Sequence, residues 1–364
     1  MSGHENKRIR FAIVGAGKRS AYLYGPLLTT LTDDVELVGV WGRSEGKAQV
    51  LGEKYGAPWF TDLERLCDQV KPEAVVVCVA YAANGHVGRQ VVDLGLHALL
   101  ETPIAHDLTD ADAIIAAART QGLKVEVAEQ YYRRPIERLK RALIDAGVFG
   151  QVFTAYNDFM GHGYHGVSLV RSYVGFDVPV VSVSGVKARF APEPHYSWIR
   201  KSFGSWEEEW EHAAIQFADG RLGFFNWTTI GYGSSLRWLR STKFFAEKGM
   251  AVGDRLTLLT ADGKDPQPIE IERRIHNVGG METLMELVAH TTPQVVWRNP
   301  FRGHYVDDEM IAVADCVMSL VRAIQKVGEV EYGAEQARLD QEVTLAMRAS
   351  MERGGDPVRL PLQR

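Results

Sequence analysis

The sequence predicts an α/β protein whose residues 1–128 form a doubly wound parallel sheet and whose residues 129–364 form a second, α+β domain. Two observations predict the first domain. A short apolar strand breaks at two glycines before a helix, and apolar runs then alternate with helical patterns. The third observation is a change of pattern after residue 129, beyond which most segments are extended.

The first strand and its turn have the form that receives a pyrophosphate. The apolar run 11–14 ends at Gly15 and Gly17, and a helical pattern begins near Ser20. In a βαβ unit the first glycine permits the turn, and the second lets a phosphate approach the backbone. Free N–H groups of the first helical turn then favour the negative charge. Ser20, where a third glycine is usual, is small enough to keep strand and helix close. Alone, the motif fits an ordinary strand–turn–helix equally well.

The second strand, 35–41, ends without an acidic residue. Gly42, Arg43 and Ser44 follow it. An acid at this position would hold the ribose 2′-hydroxyl of NAD, whereas Arg43 can pair with a 2′-phosphate or stack on adenine. Its alternative role is that of a solvated loop arginine.

The rest of the first domain alternates regularly. Continuously apolar runs such as 74–79 are typical of parallel strands covered on both faces. The pattern predicts helices over 20–31, 45–55, 63–70, 86–95 and 110–121, and strands over 59–60, 74–79, 97–100 and 124–128.

The second domain begins with a helix, from Arg134-Pro135 to about Gly147, and continues mainly as strands. Asp219-Gly220 predicts a hairpin turn. The predicted strands are 151–159, 180–190, 210–217, 221–229, 243–248 and 256–259, and helices follow over 305–327, which is amphipathic, and 334–351.

Composition and charge exclude several classes of protein. The net charge of −5 gives no reason to expect nucleic acid or an anionic membrane as partner, and no apolar run approaches the ~18 residues of a spanning helix. The polar N-terminus lacks the apolar core of a signal peptide. Cys67, Cys78 and Cys316 have neither paired nor metal-ligand spacing, so a reducing cytoplasm is the expected setting and no metal is expected.

Short motifs spread along the whole chain carry a family resemblance. They are Gly15-Ala16-Gly17, Val79-Ala80-Tyr81 with Asn84 and His86, Glu101-Thr102-Pro103, Ala128-Glu129-Gln130 with Arg134-Pro135, Gly147 with 149–152, and 334–337 with Ser350 and 357–361. With these motifs the chain resembles the glucose–fructose oxidoreductase / inositol dehydrogenase / MocA (Gfo/Idh/MocA) family. The resemblance implies an N-terminal Rossmann domain that binds NAD(P) and a C-terminal domain with a large, mostly antiparallel sheet. Sugars, cyclitols or their derivatives are the implied substrates.

The expected cofactor is NAD, with NADP left open by Arg43. The residues predicted to bind it are Gly15, Ala16, Gly17, Lys18, Arg19, Arg43, Ser44, Ala80, Asn84, His86, Glu101, Thr102, Pro103 and Gln130.

The chain departs from the family where its dehydrogenases transfer protons. Thr102 stands in place of the lysine of their Glu-Lys-Pro motif. In the segment that resembles their second signature, Gly161 and Ser168 replace two aspartates, and His165 retains the histidine, with Gly175 ten residues later. The nicotinamide site is therefore expected to be intact and the usual proton relay to be missing.

Two groups of protic side chains are candidates to replace that relay. His162, Tyr164 and His165 lie among glycines, between a predicted strand and helix, and imidazole and phenol groups exchange protons near neutral pH when their surroundings tune them. Tyr131 and Tyr132 follow the last strand of the first sheet, at the edge where such sheets bind ligands. The alternative role of each residue is structural packing.

A third group, Trp198, Arg200 and Lys201, can hold the face of a sugar and an anionic substituent. That reading favours uronides or sulfoquinovosides as substrates. The alternatives are a solvated face and a subunit contact.

Three functions follow from these features. The favoured one is redox-neutral glycoside cleavage, similar to the family's NAD-dependent glycoside hydrolases: oxidation at a sugar carbon, commonly C3, loss of the C2 proton, elimination, hydration and reduction. The second is a sugar or cyclitol dehydrogenase with a non-lysine proton relay, and the third is a non-catalytic cofactor-binding sensor. A homodimer or homotetramer is expected, because a large exposed sheet face tends to find a partner.

Overall fold

A computed structural model of the protein describes residues 7–236 and 240–363, so that most of the N-terminal segment inspected for a signal peptide lies outside the described residues. The chain forms two compact units. The first holds the described residues up to Arg133 together with Asn277–Thr283 and Phe301–Gln341. The second holds Arg134–His276, Leu284–Pro300 and the described residues from Glu342.

The first unit contains a six-stranded parallel sheet in the order β3-β2-β1-β4-β5-β6. Strand order reverses between β1 and β4, which is the point where doubly wound sheets bind ligands. The strands are β1 (Ile9–Val14), β2 (Val35–Trp41), β3 (Trp59–Phe60), β4 (Ala74–Val77), β5 (His97–Leu100) and β6 (Val125–Val127).

Helices connect these strands, as parallel pairing requires. Two of them begin at aspartates whose side chains accept hydrogen bonds from backbone N–H groups, Asp62 from Arg65 at 2.9 Å and Asp107 from Asp110 at 2.9 Å. The helices are α1 (Gly25–Thr30), preceded by a helical turn at Ser20–Tyr24, α2 (Glu45–Tyr55), α3 (Leu63–Val70), α4 (Asn84–Asp93) and α5 (Leu108–Gln121).

The second unit is rich in strands. Its helices are α6 (Pro135–Asp145), α7 (Gly163–Val174) and α8 (Thr229–Gly233). Its strands are β7 (Val152–Asp158), β8 (Val180–Phe190), β9 (His195–Ser197), β10 (Ser202–Gly204), β11 (Glu208–Phe217), β12 (Leu222–Thr228), β13 (Ser241–Ala246), β14 (Gly249–Val252), β15 (Arg255–Leu259), β16 (Pro266–Ile269), β17 (Ile271–Val278), β18 (Met281–Ala289), β19 (Val295–Arg298) and β20 (Val358–Arg359).

A nine-stranded sheet dominates this unit, in the order β16-β15-β14-β13-β7-β12-β11-β8-β20. Its pairs are antiparallel except for β7 and β12. Helix α7, which is buried along its whole length, packs against β7 and β12 on one face of the sheet. The predicted fold class, a parallel sheet followed by a large and mostly antiparallel one, is confirmed.

Two further helices complete the chain, α9 (Asp308–Ile324) and α10 (Ala334–Glu352). Helix α9 begins at Asp307, whose side chain accepts a hydrogen bond from the N–H of Met310 at 2.8 Å, and it packs against β5 and β6. The boundary predicted at residue 129 divides the chain at one point. In the structure, each unit is built from several separate segments of the chain, and α9 belongs to the first unit. Amphipathic periodicity predicts that a helix buries one face, but it does not identify the sheet that the face covers.

Across residues 7–236 and 240–363, none of the helices combines the length and apolar character needed to cross a lipid bilayer.

Candidate functional site

A cavity of about 710 Å³ opens at the carboxyl ends of β1, β2 and β4 in the first unit. It gathers twelve of the fourteen residues predicted to bind the cofactor: Gly15, Ala16, Gly17, Lys18, Arg19, Arg43, Ser44, Ala80, Asn84, His86, Glu101 and Thr102. The other two adjoin this wall. The carbonyl of Pro103 accepts from the Asn84 amide at 2.6 Å, and the Gln130 side-chain oxygen accepts from Arg19 at 3.2 Å. That these residues bind the cofactor stays a prediction.

The two glycines of the first turn have different physical tasks. Gly15 has a φ of +123°, and a Cβ there would lie 2.0 Å from the carbonyl oxygen of Cys78. A Cβ on Gly17 would meet no protein atom within 4 Å. Gly15 is therefore required by the backbone, and Gly17 keeps open space beside the turn. The Ser20 hydroxyl donates to the carbonyl of Gly15, which ties the helix to the end of the strand.

Glu101 is the acidic residue in the cavity wall, and three donors hold it. Arg19 bonds one carboxylate oxygen, Tyr24 donates to that oxygen at 2.6 Å, and the N–H of Thr102 donates to the other at 3.2 Å. Burial and the charge of Glu101 raise the pKa of Tyr24 well above its ordinary value, so its phenol stays protonated as the donor. Glu101 thereby fixes Arg19 and the backbone of Thr102.

Asn84 provides a test of whether the cavity fits a dinucleotide. Its side chain is buried, and its Nδ2 donates to the carbonyls of Glu101 at 2.5 Å and Pro103 at 2.6 Å. Within the described residues nothing donates to its Oδ1. A buried acceptor without a donor is costly unless a ligand or water supplies one. Nicotinamide and ribose groups carry such donors, so the cavity fits the cofactor at Asn84 as well as at Gly17.

Prediction from the sequence missed other residues of this wall: Trp41, Gly42, Lys47, Cys78, Val79, Tyr81, Ala83, Val87 and Gln90. Lys47 could have been predicted from the sequence, because it lies in the first turn of the helix that follows the β2 tip. Cys78 is a buried thiol whose pKa is raised to about 11 by burial and by Glu101, which leaves it protonated and unreactive near neutral pH.

The two tyrosines of the first unit lie in a turn just after β6, Tyr131–Arg133, and neither lines the cavity. Both are buried. The N–H of Tyr131 donates to the Glu129 carboxylate at 3.0 Å, and the ring of Tyr132 lies 5.8 Å from that of Tyr332. These contacts show packing at the end of the sheet, and a proton-transfer role for either residue stays a prediction.

In the second unit, His162, Tyr164 and His165 form one aromatic cluster at the start of α7. Ring centroids are 4.9 Å apart for the two histidines, 5.3 Å for His162 and Tyr164, and 4.5 Å for Tyr164 and His165. The Trp227 ring lies 5.6 Å from His162. The expectation of a loop is wrong for Tyr164 and His165, which lie in the first helical turn. Their helix begins at Gly163, after His162, which is the N-cap residue and has an extended backbone conformation.

Asn157, which is fully buried on β7, holds the turn before this helix. Its amide oxygen accepts from the N–H of Gly161, and its Nδ2 donates to the carbonyl of Gly161, both at 2.9 Å. A Cβ on Gly161 would lie 2.7 Å from the Cβ of His165. An aspartate at position 161 is therefore incompatible with this packing, and the Ser168 hydroxyl, at the second aspartate position, donates to the His165 carbonyl at 2.9 Å.

A buried polar cluster anchors the far end of α7. Tyr173 donates to Glu137 and lies 2.8 Å from the Thr242 hydroxyl, while Lys140 lies 3.1 Å from Glu137. Burial and the Glu137 carboxylate raise the pKa of Tyr173, so this phenol also remains a donor. The helix that carries the histidine cluster is thus fixed at both ends.

The predicted substrate group, Trp198, Arg200 and Lys201, lies in the turn between β9 and β10. The Trp198 side chain is 62% exposed. The Arg200 guanidinium lies 4.6 Å from the Trp206 ring and 3.5 Å from the Glu208 carboxylate. Arg200 therefore already has an anionic partner, which weakens its case as an anion-binding residue. Binding of a substrate by these three residues stays a prediction.

Comparisons with known proteins agree with a dinucleotide site in the first unit. Residues 9–129 match the family described as "Oxidoreductase family, NAD-binding Rossmann fold". Oxidoreductase P35 of Formosa agariphila is 28% identical over 151 residues, which cover 41% of this chain and 46% of that protein. Glycosyl hydrolase family 109 protein 1 of Akkermansia muciniphila is 30% identical over 120 residues, covering 30% of this chain and 24% of that protein. These alignments span less than half of either relative.

Similarity of fold extends over nearly the whole chain. The WlbA dehydrogenase of Bordetella pertussis, in complex with NADH and UDP-GlcNAcA, superimposes with a TM-score of 0.69 at 19% identity, covering 98% of this chain and all of that one. For residues 9–129 the predicted family is confirmed, and so is the predicted NAD-binding domain. Over residues 9–129, this chain carries the NAD-binding Rossmann domain of the Gfo/Idh/MocA oxidoreductase family.

Proposed function

We propose that this chain is an NAD(P)-dependent enzyme that acts on a sugar or glycoside, and that its net reaction is the redox-neutral cleavage of a glycoside. When bound, the dinucleotide supplies a hydride acceptor that can return the hydride. Gly17, Asn84 and the cavity wall around them would hold it. The names of two relatives support a sugar substrate, one being a glycosyl hydrolase and the other a dehydrogenase bound to UDP-GlcNAcA.

The observation that carries the proposal is Thr102 in the wall of the cavity. A hydroxyl with an ordinary pKa cannot serve as the cationic acid that a lysine provides, so a simple dehydrogenase built on this wall lacks its usual proton relay. Redox-neutral cleavage instead requires a group that removes and returns a carbon-bound proton. We assign that task to His165, with Tyr164 and His162 as its aromatic neighbours. The proposed substrate class is an anionic sugar, a uronide or a sulfoquinovoside. This part of the proposal relies on Lys201, because Arg200 already lies 3.5 Å from the Glu208 carboxylate.

Cleavage in heavy water tests this reaction. The purified chain, supplied with NAD⁺, is incubated with nitrophenyl glycosides that include a glucuronide and a sulfoquinovoside. We expect deuterium at C2 of the released sugar and no accumulation of reduced nicotinamide, because the C2 proton is lost and regained while the hydride returns. Reduced cofactor equal to substrate consumed, with no deuterium at C2, would identify a sugar or cyclitol dehydrogenase instead. If neither glycoside cleavage nor cofactor reduction occurs, the third function, a non-catalytic cofactor-binding sensor, would be favoured.

We also propose that the chain forms a closed homo-oligomer through the face of the nine-stranded sheet opposite α7. That face carries the stacked rings of Tyr156 and Phe224, 4.7 Å apart, with the Lys243 ammonium over Tyr156 at 4.9 Å. Phe245 and Val186 on the same face are 39% and 53% exposed. Light scattering at micromolar concentration is expected to return a dimer or tetramer mass. A monomer mass would contradict this proposal without affecting the proposed reaction.

A further inference from the structure

We propose that Tyr81 and His106 form a proton relay at the nicotinamide end of the cavity in the first unit, in which Tyr81 takes the proton of the sugar hydroxyl that is oxidised. Tyr81 lines the cavity wall, and its hydroxyl lies 3.1 Å from Nδ1 of His106. The relay rests on the proposed function only in that a sugar alcohol is oxidised at this cavity. It handles the hydroxyl proton, whereas His165 is assigned the carbon-bound proton.

The place of the pair follows from the order of the strands. In a dinucleotide site of this fold, the tip of β2 lies at the adenosine end and the glycine turn after β1 receives the pyrophosphate. Strands β4 and β5 follow β1 on the side away from β2, so their carboxyl ends mark the nicotinamide end. Tyr81 begins the turn after β4, and His106 lies between β5 and α5. Thr102, which stands in place of the family lysine, follows β5 at the same end.

Hydrogen bonds between neighbouring segments hold the two side chains in place. Asn84, in the first turn of the helix that follows Tyr81, donates from its buried amide to two carbonyls of the segment 101–103, at 2.5 and 2.6 Å. The backbone carbonyl of His106 accepts from the buried amide of Gln341 at 2.8 Å. The rings of Tyr81 and His106 meet edge to face, with their centroids 5.2 Å apart. The pair is therefore organised before a substrate arrives.

A phenol that donates to an imidazole can transfer a proton in two linked movements. The relay uses the tautomer of His106 with its hydrogen on Nε2, in which Nδ1 accepts from the Tyr81 hydroxyl. As the substrate alcohol is oxidised, its C–H bond releases a hydride to the nicotinamide, and its O–H bond releases a proton to Tyr81 Oη. The proton of Tyr81 moves to Nδ1 of His106, so that a carbonyl group forms and the imidazole carries the positive charge. Return of the hydride reverses each movement.

Two other protic groups in the wall are less suited to this transfer. The thiol of Cys78 is buried, and the carboxylate of Glu101 is already held by three donors. Tyr81, in contrast, is 42% exposed, so a substrate hydroxyl can reach its phenol. His106 is exposed as well, which lets its imidazole exchange a proton with water.

Nuclear magnetic resonance of the full chain without ligands tests whether the pair exists. At mildly alkaline pH, we expect the nitrogen signals of His106 to show an unprotonated Nδ1 and a protonated Nε2. Tyr81→Phe should shift the Nδ1 signal, because it removes the donor and keeps the ring. The signals of His276, an exposed histidine on β17, should stay unchanged. A His106 ring whose signals do not respond to Tyr81→Phe would overturn the proposal.

The rate at which the full chain cleaves its glycoside, or reduces its cofactor, tests the relay itself. Tyr81→Phe and His106→Ala should each slow that rate by about 10²- to 10⁴-fold and leave NAD⁺ affinity in calorimetry the same. Added imidazole should restore the rate of His106→Ala, because the position is exposed. Thiazole, a ring of similar size and a far weaker base, should not restore it.

Tyr196→Phe is the matched control, because it removes the hydroxyl of a tyrosine that is 44% exposed on β9 and does not line the cavity, and it should keep the unaltered rate. An unaltered rate in Tyr81→Phe overturns the relay and leaves the proposed function standing. Restoration of His106→Ala by thiazole as well as by imidazole also overturns it, since filling the space would then suffice. Absence of any turnover by the unaltered chain overturns the relay and the proposed function together.

Discussion

Replacing Gly17 by valine is expected to abolish dinucleotide binding while the fold survives. A Cβ at this position has no protein atom within 4 Å, so the added side chain is expected to extend into the cavity beside the turn. A pyrophosphate can then no longer approach the backbone there. We expect the affinity for NAD⁺ and NADP⁺ to fall by about a hundredfold or more in calorimetry, with an unchanged unfolding temperature in the absence of ligand.

Two other glycines serve as controls for this prediction. A Cβ on Gly46 also has no protein atom within 4 Å, but Gly46 lies outside the cavity wall, so Gly46→Val should bind both dinucleotides normally. Gly15→Ala should lower the unfolding temperature, because its new Cβ collides with the carbonyl of Cys78. If Gly17→Val bound its cofactor as the unaltered chain does, the dinucleotide site would have to lie elsewhere.

The second large effect is expected from His165→Ala, which should slow both glycoside cleavage and deuterium exchange at C2 by about 10²- to 10⁴-fold. This range is what a positioned proton-transfer group commonly contributes to a rate. Because the dinucleotide cavity is formed by residues of the first unit, NAD⁺ affinity measured by calorimetry should stay the same. A loss of exchange without a loss of cofactor binding separates a chemical role from a general loss of structure.

His165 is buried, so a variant of similar size is needed beside the alanine. His165→Asn keeps a polar group at the start of α7 and should be equally slow if the imidazole transfers the proton. His276→Ala, which removes an exposed histidine on β17, should retain full activity. Tyr132→Phe should slow exchange more than it weakens cofactor binding if its hydroxyl participates. Unaltered exchange in both His165 variants would leave this histidine a packing role only.

The strands of the first sheet could be predicted from the sequence because they are buried on both faces. Such strands appear as continuous apolar runs between glycines and polar turns, and the predicted bounds of β2 and β5 agree with the structure at both ends. The glycine turn could be predicted equally well, because each glycine meets a local requirement. The backbone conformation requires Gly15, and Gly17 leaves open space beside the turn.

Parts of the second unit could not be predicted, for the opposite reason. Residues of β17 are mostly exposed, so this strand shows no alternation between an apolar and a polar face. Short strands such as β9 and β20 form only by pairing with another strand, β9 with β10 and β20 with β8. Their sequences alone carry too little local signal to predict a strand.

The candidate site shows the same division between local and tertiary information. The Arg43 position could be predicted because it follows a well-marked strand, whereas Cys78 and Val87 could be assigned to the site only once the cavity wall was known. The histidines were found from their spacing, but the turn held by Asn157 depends on a side chain from β7. Tertiary contacts of this kind leave no periodic trace in the sequence.

The packing of α9 against β5 and β6 delays completion of the first unit during synthesis. Helix α9 begins roughly 180 residues after β6 ends, and ribosomes add about 5–20 residues each second. The side of the sheet that α9 covers is therefore left bare for about ten to forty seconds on every nascent chain. During that interval the apolar strands β5 and β6 are a natural target for a chaperone. A fragment truncated before α9 would keep that surface exposed permanently and would be prone to aggregate.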